Sequence, residues 1–134
     1  MSREIWTDVT VCNLTAPGRA VQVRAFVDSG STDSAMPAKV LRAIGALPEG
    51  TERYEIWGGR KVRRRYGVAR FRIGGRSGVA RVTFEPADEV PTVGAATLEA
   101  LGFDIDMKNG GLRSFTPRGP TMRRRPHYRL PRAR

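Results

Sequence analysis

The sequence predicts an all-β fold with two short helices, gathered into one domain, and three observations predict it. Apolar residues alternate at period two through several runs, the signature of half-buried strands. Glycine pairs at Gly58-Gly59 and Gly74-Gly75 punctuate those runs as hairpin tips do. The helical signal is confined to two short segments that resemble each other, Ala38 to Gly45 and Ala95 to Gly102. With 134 residues, the chain suffices for one domain with a real core and is short for two.

The elements follow in order. Val9 and Val11 alternate with Thr10 and Cys12, and Val21, Val23, Ala25 and Val27 alternate with Gln22, Arg24 and Phe26. Ala16-Pro17-Gly18-Arg19 supplies a turn between them, so residues 4–27 are expected as an antiparallel hairpin. Ser34-Ala35-Met36-Pro37 leads into the first helix, with Pro37 as a first-turn residue and Gly45 as terminator. Tyr54-Glu55-Ile56-Trp57 and Lys61-Val62-Arg63 flank the first glycine pair. Phe71 and Ile73 precede the second, and Ala80, Val82 and Phe84 follow it on alternating positions. Val90 to Gly94 forms a last apolar strand before the second helix. Phe103 to Asp106, a turn at Lys108-Asn109-Gly110-Gly111 and a strand through Leu112 and Phe115 close the body. Four of eight positions match between the two helices, and each copy follows an apolar strand and a glycine-containing turn, so the chain reads as two related halves about a pseudo-twofold.

Charge divides the chain into a body and a tail. There are 24 Lys and Arg against 13 Asp and Glu, a net charge of +11. Seven of the arginines lie in residues 116–134, which hold no acid, so residues 1–115 carry only +4. The tail mixes Arg with Pro117, Pro120, Pro126 and Pro131, lacks periodicity and is expected to be disordered. The first twenty residues contain no apolar run long enough for a signal-peptide core, and no stretch approaches a membrane span. The single Cys12 excludes an intrachain disulfide and fits a reducing compartment. A cytoplasmic location is expected, and the sequon Asn13-Leu14-Thr15 is discounted accordingly.

The stretch around which these elements are organised is Val27-Asp28-Ser29-Gly30-Ser31. An apolar strand there runs into an acid and then a tight turn that lets the backbone approach a substrate closely. Two readings of Asp28 stand at this point, a catalytic carboxylate and a turn aspartate that accepts backbone hydrogen bonds. Rival catalytic sets are short of parts. The one histidine, His127, lies in the tail, which leaves Ser-His-Asp and Cys-His schemes without a base. Asp104 and Asp106 are too few ligands for a closed calcium site and read as a solvated edge or turn cap, and no metal is expected. The glycine pairs lack the Gly-Lys-Ser/Thr ending of a phosphate loop.

The order hairpin, Val27-Asp28-Ser29-Gly30, short helix, glycine-tipped hairpin, Pro91-Thr92-Val93-Gly94, second helix and Leu101-Gly102-Phe103-Asp104-Ile105-Asp106 resembles the retropepsin-like aspartic proteases, particularly their small bacterial members. The resemblance spans about residues 5–115. It implies a closed β-barrel acid protease fold of residues 1–115 that works as a homodimer without cofactor. Asp28 would be the catalytic residue, and Ser29, Gly30 and Ser31 the loop that supports it. Ile56, Trp57, Gly58 and Gly59 would form a flap over a peptide substrate. Thr92 departs from the bulky aliphatic that the family usually has there.

Peptide hydrolysis by carboxylates needs a protonated acid to polarise the carbonyl and an ionised base to activate water. Two carboxylates about 3 Å apart repel by on the order of 5 kcal/mol at an effective dielectric of about 20, so the pair holds a shared proton and titrates as a unit. The chain has no second Asp-Ser/Thr-Gly, so a twofold dimer must supply the second carboxylate. By the same resemblance the Ser29 hydroxyls would brace the loops across the axis and the termini would form an intersubunit sheet. Arg60, Lys61, Arg63, Arg64 and Arg65 crowd the flap, with Lys61, Arg63 and Arg65 on one face. They are a solvated face, or a surface for acidic substrate segments or a polyanion. Three function classes remain: a dimeric aspartic endopeptidase, a catalytically idle relative serving as a dimerisation or peptide-binding module, and a basic protein that binds nucleic acid through its tail.

Overall fold

The computed structural model describes residues 4–116, 118–120 and 129–133. Nine strands and two helices follow in the order β1 (Trp6–Cys12), β2 (Ala20–Val27), β3 (Ser34–Pro37), α1 (Ala38–Ala43), β4 (Gly50–Glu55), β5 (Lys61–Ile73), β6 (Arg76–Glu85), β7 (Thr92–Val93), α2 (Ala95–Leu101), β8 (Phe103–Asp106) and β9 (Gly111–Ser114). The all-β expectation with two short helices is met. The main sheet has seven strands in the order β1-β2-β7-β3-β6-β5-β4, and β8 and β9 form a separate hairpin.

Each long strand pair arises from the predicted alternation. β1 and β2 are antiparallel, with Val9 opposite Val23 and Val11 opposite Val21. Their turn is fixed by Asn13, whose side-chain oxygen accepts the Thr15 and Ala16 N–H groups, while its Nδ2 donates to the Ile44 carbonyl. That is a structural role for the asparagine of the discounted sequon. β5 changes partners along its length. Residues 61–66 pair with β4, and residues 66–73 pair with β6. Its covered face changes parity at the same place, from Val62, Arg64 and Tyr66 to Ala69, Phe71 and Ile73. The first half of β5 therefore leaves the body as one arm of a projecting hairpin.

The implied closed β-barrel is met in part. The ladder returns on itself through a three-residue pairing of β1 with β5, Thr10 to Cys12 against Arg72 to Arg70. Other links are as short, one residue pair between β3 and β7 and two between β2 and β7. β4 remains an edge strand, so the sheet is strongly curled rather than a uniformly closed barrel. Ser34–Pro37, expected as the lead-in to a helix, is itself a strand parallel to β6, and Pro37 ends it as the N-cap of α1. Four residues are too few to show periodicity, and the fixed φ of proline, −53° here, suits both the strand end and the helix entry.

The predicted pseudo-twofold is written in the register. β2 runs parallel to β7, with Phe26 beside Thr92 and Val27 beside Val93. β6 runs parallel to β3, with Thr83 beside Ala35 and Phe84 beside Met36. β3 and β7 meet antiparallel at Ala35 and Thr92. Exchanging the halves at constant offset carries 35 onto 92, 38 onto 95 and 28 onto 85, so Asp28 corresponds to Glu85 and Gly94 to Pro37. The core lies between the halves. Val9, Val11, Leu41, Ile44, Phe71, Val82 and Val93 are all fully buried, each contributing about 1.5–3 kcal/mol relative to exposure. Cys12 is buried with them. Among the described residues, no helix is long and apolar enough to cross a membrane. The predicted disorder of 116–134 falls largely outside the described residues.

Candidate active site

The turn after β2 is held by backbone bonds from the second half of the chain. The Asp28 N–H donates to the Val93 carbonyl at 2.9 Å, and the Ser31 N–H donates to the Asp28 carbonyl at 3.1 Å. At the start of α2, the Ala95 and Ala96 N–H groups donate to the Ser31 and Thr32 carbonyls at 2.7 and 3.0 Å. The loop therefore satisfies free helix donors that would otherwise need caps. A glycine is required where it crosses, because a Cβ at Gly94 would lie 2.5 Å from the Asp33 carbonyl oxygen and 2.8 Å from that of Ser31. Beneath the loop, the buried Ser34 hydroxyl accepts the Gly94 N–H at 3.0 Å and bonds Thr97 Oγ1. This network ties β3 to α2.

Asp28 is half-buried. Its Oδ1 accepts the Gly30 N–H at 2.9 Å. Its Oδ2 makes no hydrogen bond to a described residue and is not buried. The turn-capping reading of this residue is thus met by one oxygen, and the other oxygen remains unbonded among the described residues. Asp28 lines a cleft of ≈ 850 Å³ between its own loop, the β4 side of the β4–β5 hairpin and the end of β6. From the predicted set, Asp28, Gly30, Ser31, Ile56 and Trp57 line it. Gly58 and Gly59 do not. They form the hairpin tip at φ of 90° and 83°, positive values that favour glycine, with open space around both. Trp57 beside them is fully exposed.

Ser29 turns the other way. It lines a second groove, of ≈ 380 Å³, with Leu98, Phe103, Ile105, Met107 and Phe115. Ser31 does more than support the turn, since its hydroxyl donates to the Asp33 carbonyl at 2.9 Å.

The cleft also contains ionic groups that the sequence did not single out. Asp33 accepts the Tyr54 O–H at 2.6 Å and lies 3.4 Å from Arg81 Nε. Arg81 also donates from Nη2 to the Tyr54 oxygen at 3.1 Å, sits 3.6 Å from Glu52, and stacks its guanidinium 3.8 Å over the Tyr66 ring. Burial, reinforced by the hydrogen bond to the Asp33 carboxylate, pushes the Tyr54 phenol up to about 12. Arg64 pairs with Glu85 at 3.0 Å. Arg64 is thereby turned inward, while Lys61, Arg63 and Arg65 are exposed on the opposite face of the strand. Asp33, Glu52 and Glu85 each face an arginine, whereas Asp28 makes no ion pair among the described residues. Only its position in an alternating strand marks Arg81 in the sequence, and nothing local reveals that its strand runs beneath the loop.

Asp106 behaves as the turn cap that the sequence offered. It accepts hydrogen bonds from the Asn109 side chain and from the Asn109 and Lys108 N–H groups, which lower its pKa. Among the described residues, no cluster of three His, Cys, Asp or Glu side chains could hold a metal.

Asp28, which makes no ion pair among the described residues, and the β4–β5 hairpin thus line one cleft, and a family comparison gives the class. The aspartyl protease family matches residues 8–105, and the chain belongs to that family. Among solved structures, the simian foamy virus (mac) protease in solution is 18% identical, with 70% of this chain and 91% of that one aligned at a TM-score of 0.49. The foamy viral protease-reverse transcriptase in complex with RNA/DNA hybrid is 19% identical over 72% of this chain and 12% of that one, at a TM-score of 0.53. The second likeness supports the fold, and the reverse transcriptase and hybrid belong to that protein. No curated protein matches the chain significantly.

Proposed function

We propose that the protein is an aspartic endopeptidase that works as a twofold homodimer, with Asp28 from each chain forming the catalytic pair. One observation carries the reading. Asp28 lines the cleft with no ion pair and with one carboxylate oxygen unbonded among the described residues, while Asp33, Glu52 and Glu85 are held by arginine. Such a group is suited to sharing a proton with a second carboxylate. Because each chain has a single Asp-Ser/Thr-Gly, the partner carboxylate is the same residue of another copy. Ser29 and Gly30 are exposed, which leaves the turn accessible to that copy.

In the reaction, the ionised Asp28 takes a proton from water as its oxygen attacks the peptide carbon. The protonated Asp28 of the partner donates to the carbonyl oxygen. The tetrahedral intermediate then collapses: the C–N bond breaks as the leaving amine takes the proton held by Asp28, and one hydroxyl of the intermediate returns its proton to the partner's Asp28, which leaves a carboxylic acid and restores the pair. The β4–β5 hairpin serves as the flap, with Ile56 and Trp57 against the substrate and Gly58-Gly59 giving the tip its freedom.

The test is cleavage of a peptide library from acid to neutral pH by the wild type and Asp28→Asn, alongside sedimentation of both. Cleavage by the wild type alone, with specific activity falling as dilution dissociates a dimer, is the expected result. A monomer that cleaves, or an Asp28→Asn protein that does, overturns the reading.

A further inference from the structure

The hairpin above the cleft is weakly attached through its backbone. β4 is an edge strand whose ladder partner is β5 alone, and at the tip beyond it a Cβ on Gly58 or Gly59 would meet nothing within 4 Å. Its hold on the Asp28 loop runs through side chains. Tyr54 projects from β4, donates its O–H to Asp33 and accepts from Arg81 of β6. Asp33 closes the loop that Asp28 opens. Its side chain is 11% exposed, so the bond operates where water competes poorly. Ser31, bonded to the Asp28 and Asp33 backbones, links the two ends of that loop.

A tyrosine hydroxyl suits this place because it donates and accepts at once, joining an anion to a cation. Without it, Asp33 keeps only Arg81 Nε, at 3.4 Å and without hydrogen-bond geometry. Arg81 keeps Glu52, a partner half in solvent and correspondingly weak, and the Tyr66 ring. Neither remaining contact joins β4 to the loop by a hydrogen bond. Among the described residues the hydrogen-bonded route from β4 to the Asp28 loop therefore passes through the Tyr54 phenol, beside a longer ion-pair path from Glu52 through Arg81 to Asp33.

We propose that Tyr54 is a positioning residue: through Asp33 and Arg81 it couples the β4–β5 hairpin to the Asp28 loop and sets the cleft for substrate. The role rests on Asp28 being the reactive carboxylate, but the coupling itself can be read without any turnover. The chain has two tryptophans, Trp6 and the fully exposed Trp57 on the hairpin. In a Trp6→Phe background, Trp57 alone reports hairpin motion.

The experiment compares that background with its Tyr54→Phe and Asp33→Asn derivatives and the double variant. Its readouts are time-resolved Trp57 anisotropy, KM and kcat on a cleaved peptide, and thermal unfolding. Tyr54→Phe is expected to speed the local decay of Trp57 and raise KM about tenfold, the loss of one hydrogen bond to a charged group, with a smaller change in kcat. Asp33→Asn should act alike, and the double variant should add little to either. An unchanged Trp57 decay in Tyr54→Phe overturns the coupling, as does simple addition of the two single effects. Should Asp28→Asn go on cleaving, the catalytic reading fails while the anisotropy still decides the coupling.

Discussion

The half of the chain that runs β1–β2–β3–α1 and the half that runs β5–β6–β7–α2 share a register, yet their equivalent strand ends carry acids in opposite circumstances. After β2 come Asp28-Ser29-Gly30, and Asp28 lines the cleft without an ion pair among the described residues. β6 ends on Glu85, followed by Pro86-Ala87, and Glu85 is 14% exposed and paired with Arg64 at 3.0 Å. A carboxylate neutralised by a guanidinium is committed to structure, whereas one without a cation can exchange a proton. Two equivalent strand ends exist in the chain, and only one is left open. The symmetry within a chain therefore cannot complete a two-carboxylate site, which is why the proposed site requires symmetry between chains.

The largest effect should separate those two acids. Asp28→Asn is expected to lower peptide hydrolysis by about 10³-fold or more, with thermal unfolding little changed, because one oxygen still caps the turn. Measurable turnover near the wild-type rate would break the contrast at its root.

The next concerns the residues that follow the equivalent positions, Gly94 and Pro37. Pro37 carries a full ring where Gly94 has only hydrogen, because the Asp28 loop passes within 2.5 Å of a Cβ there. The Gly94 φ is −95°, so backbone conformation is no obstacle and the clash alone is tested. Gly94→Ala should cost about 2–3 kcal/mol in urea unfolding and reduce activity by displacing the loop. A neutral substitution would mean that the Asp28 loop does not pass this closely over Gly94.

Glu85→Gln sharpens the comparison from the other side. It leaves Arg64, 28% exposed, without its anion and should lower stability by about 1–2 kcal/mol while peptide cleavage persists. Loss of cleavage in a folded Glu85→Gln protein would make both acids reactive and undo the division of roles.

The long strands were readable because alternation over seven or more residues exposes a buried face, as in Val9-Val11 and Val21-Val23-Ala25-Val27. The glycine turns were readable because their chemistry is local. The repeated helix letters announced a pseudo-twofold that the register bears out. β3 was hidden because four residues ending in proline look like a helix entry, and β7 is two residues long. Asp28 was visible through its turn, but Asp33, Tyr54 and Arg81 were not. They belong to a loop, an edge strand and a central strand, and only the fold makes them neighbours.

The smallest effect lies in that trio, which the second half lacks. At constant offset Asp33 corresponds to Val90, which is exposed, so the tyrosine-mediated attachment to β4 exists on the Asp28 side alone, while the Glu85 side holds the hairpin through Arg64 of β5. Burial and the Asp33 carboxylate hold the Tyr54 proton more tightly in the folded chain, to about 12 against an ordinary 10.0. The unfolded chain ionises this phenol first as pH rises, so the contribution is whole below pH 10.0 and fades between there and about 12. Tyr54→Phe should therefore flatten the alkaline fall in stability over that window, measured as the difference in urea midpoint between about pH 9 and about pH 11. An alkaline slope identical in both proteins would mean that the phenol is as free in the fold as in the unfolded chain. The asymmetry between the halves would then reduce to Asp28 and Glu85 alone.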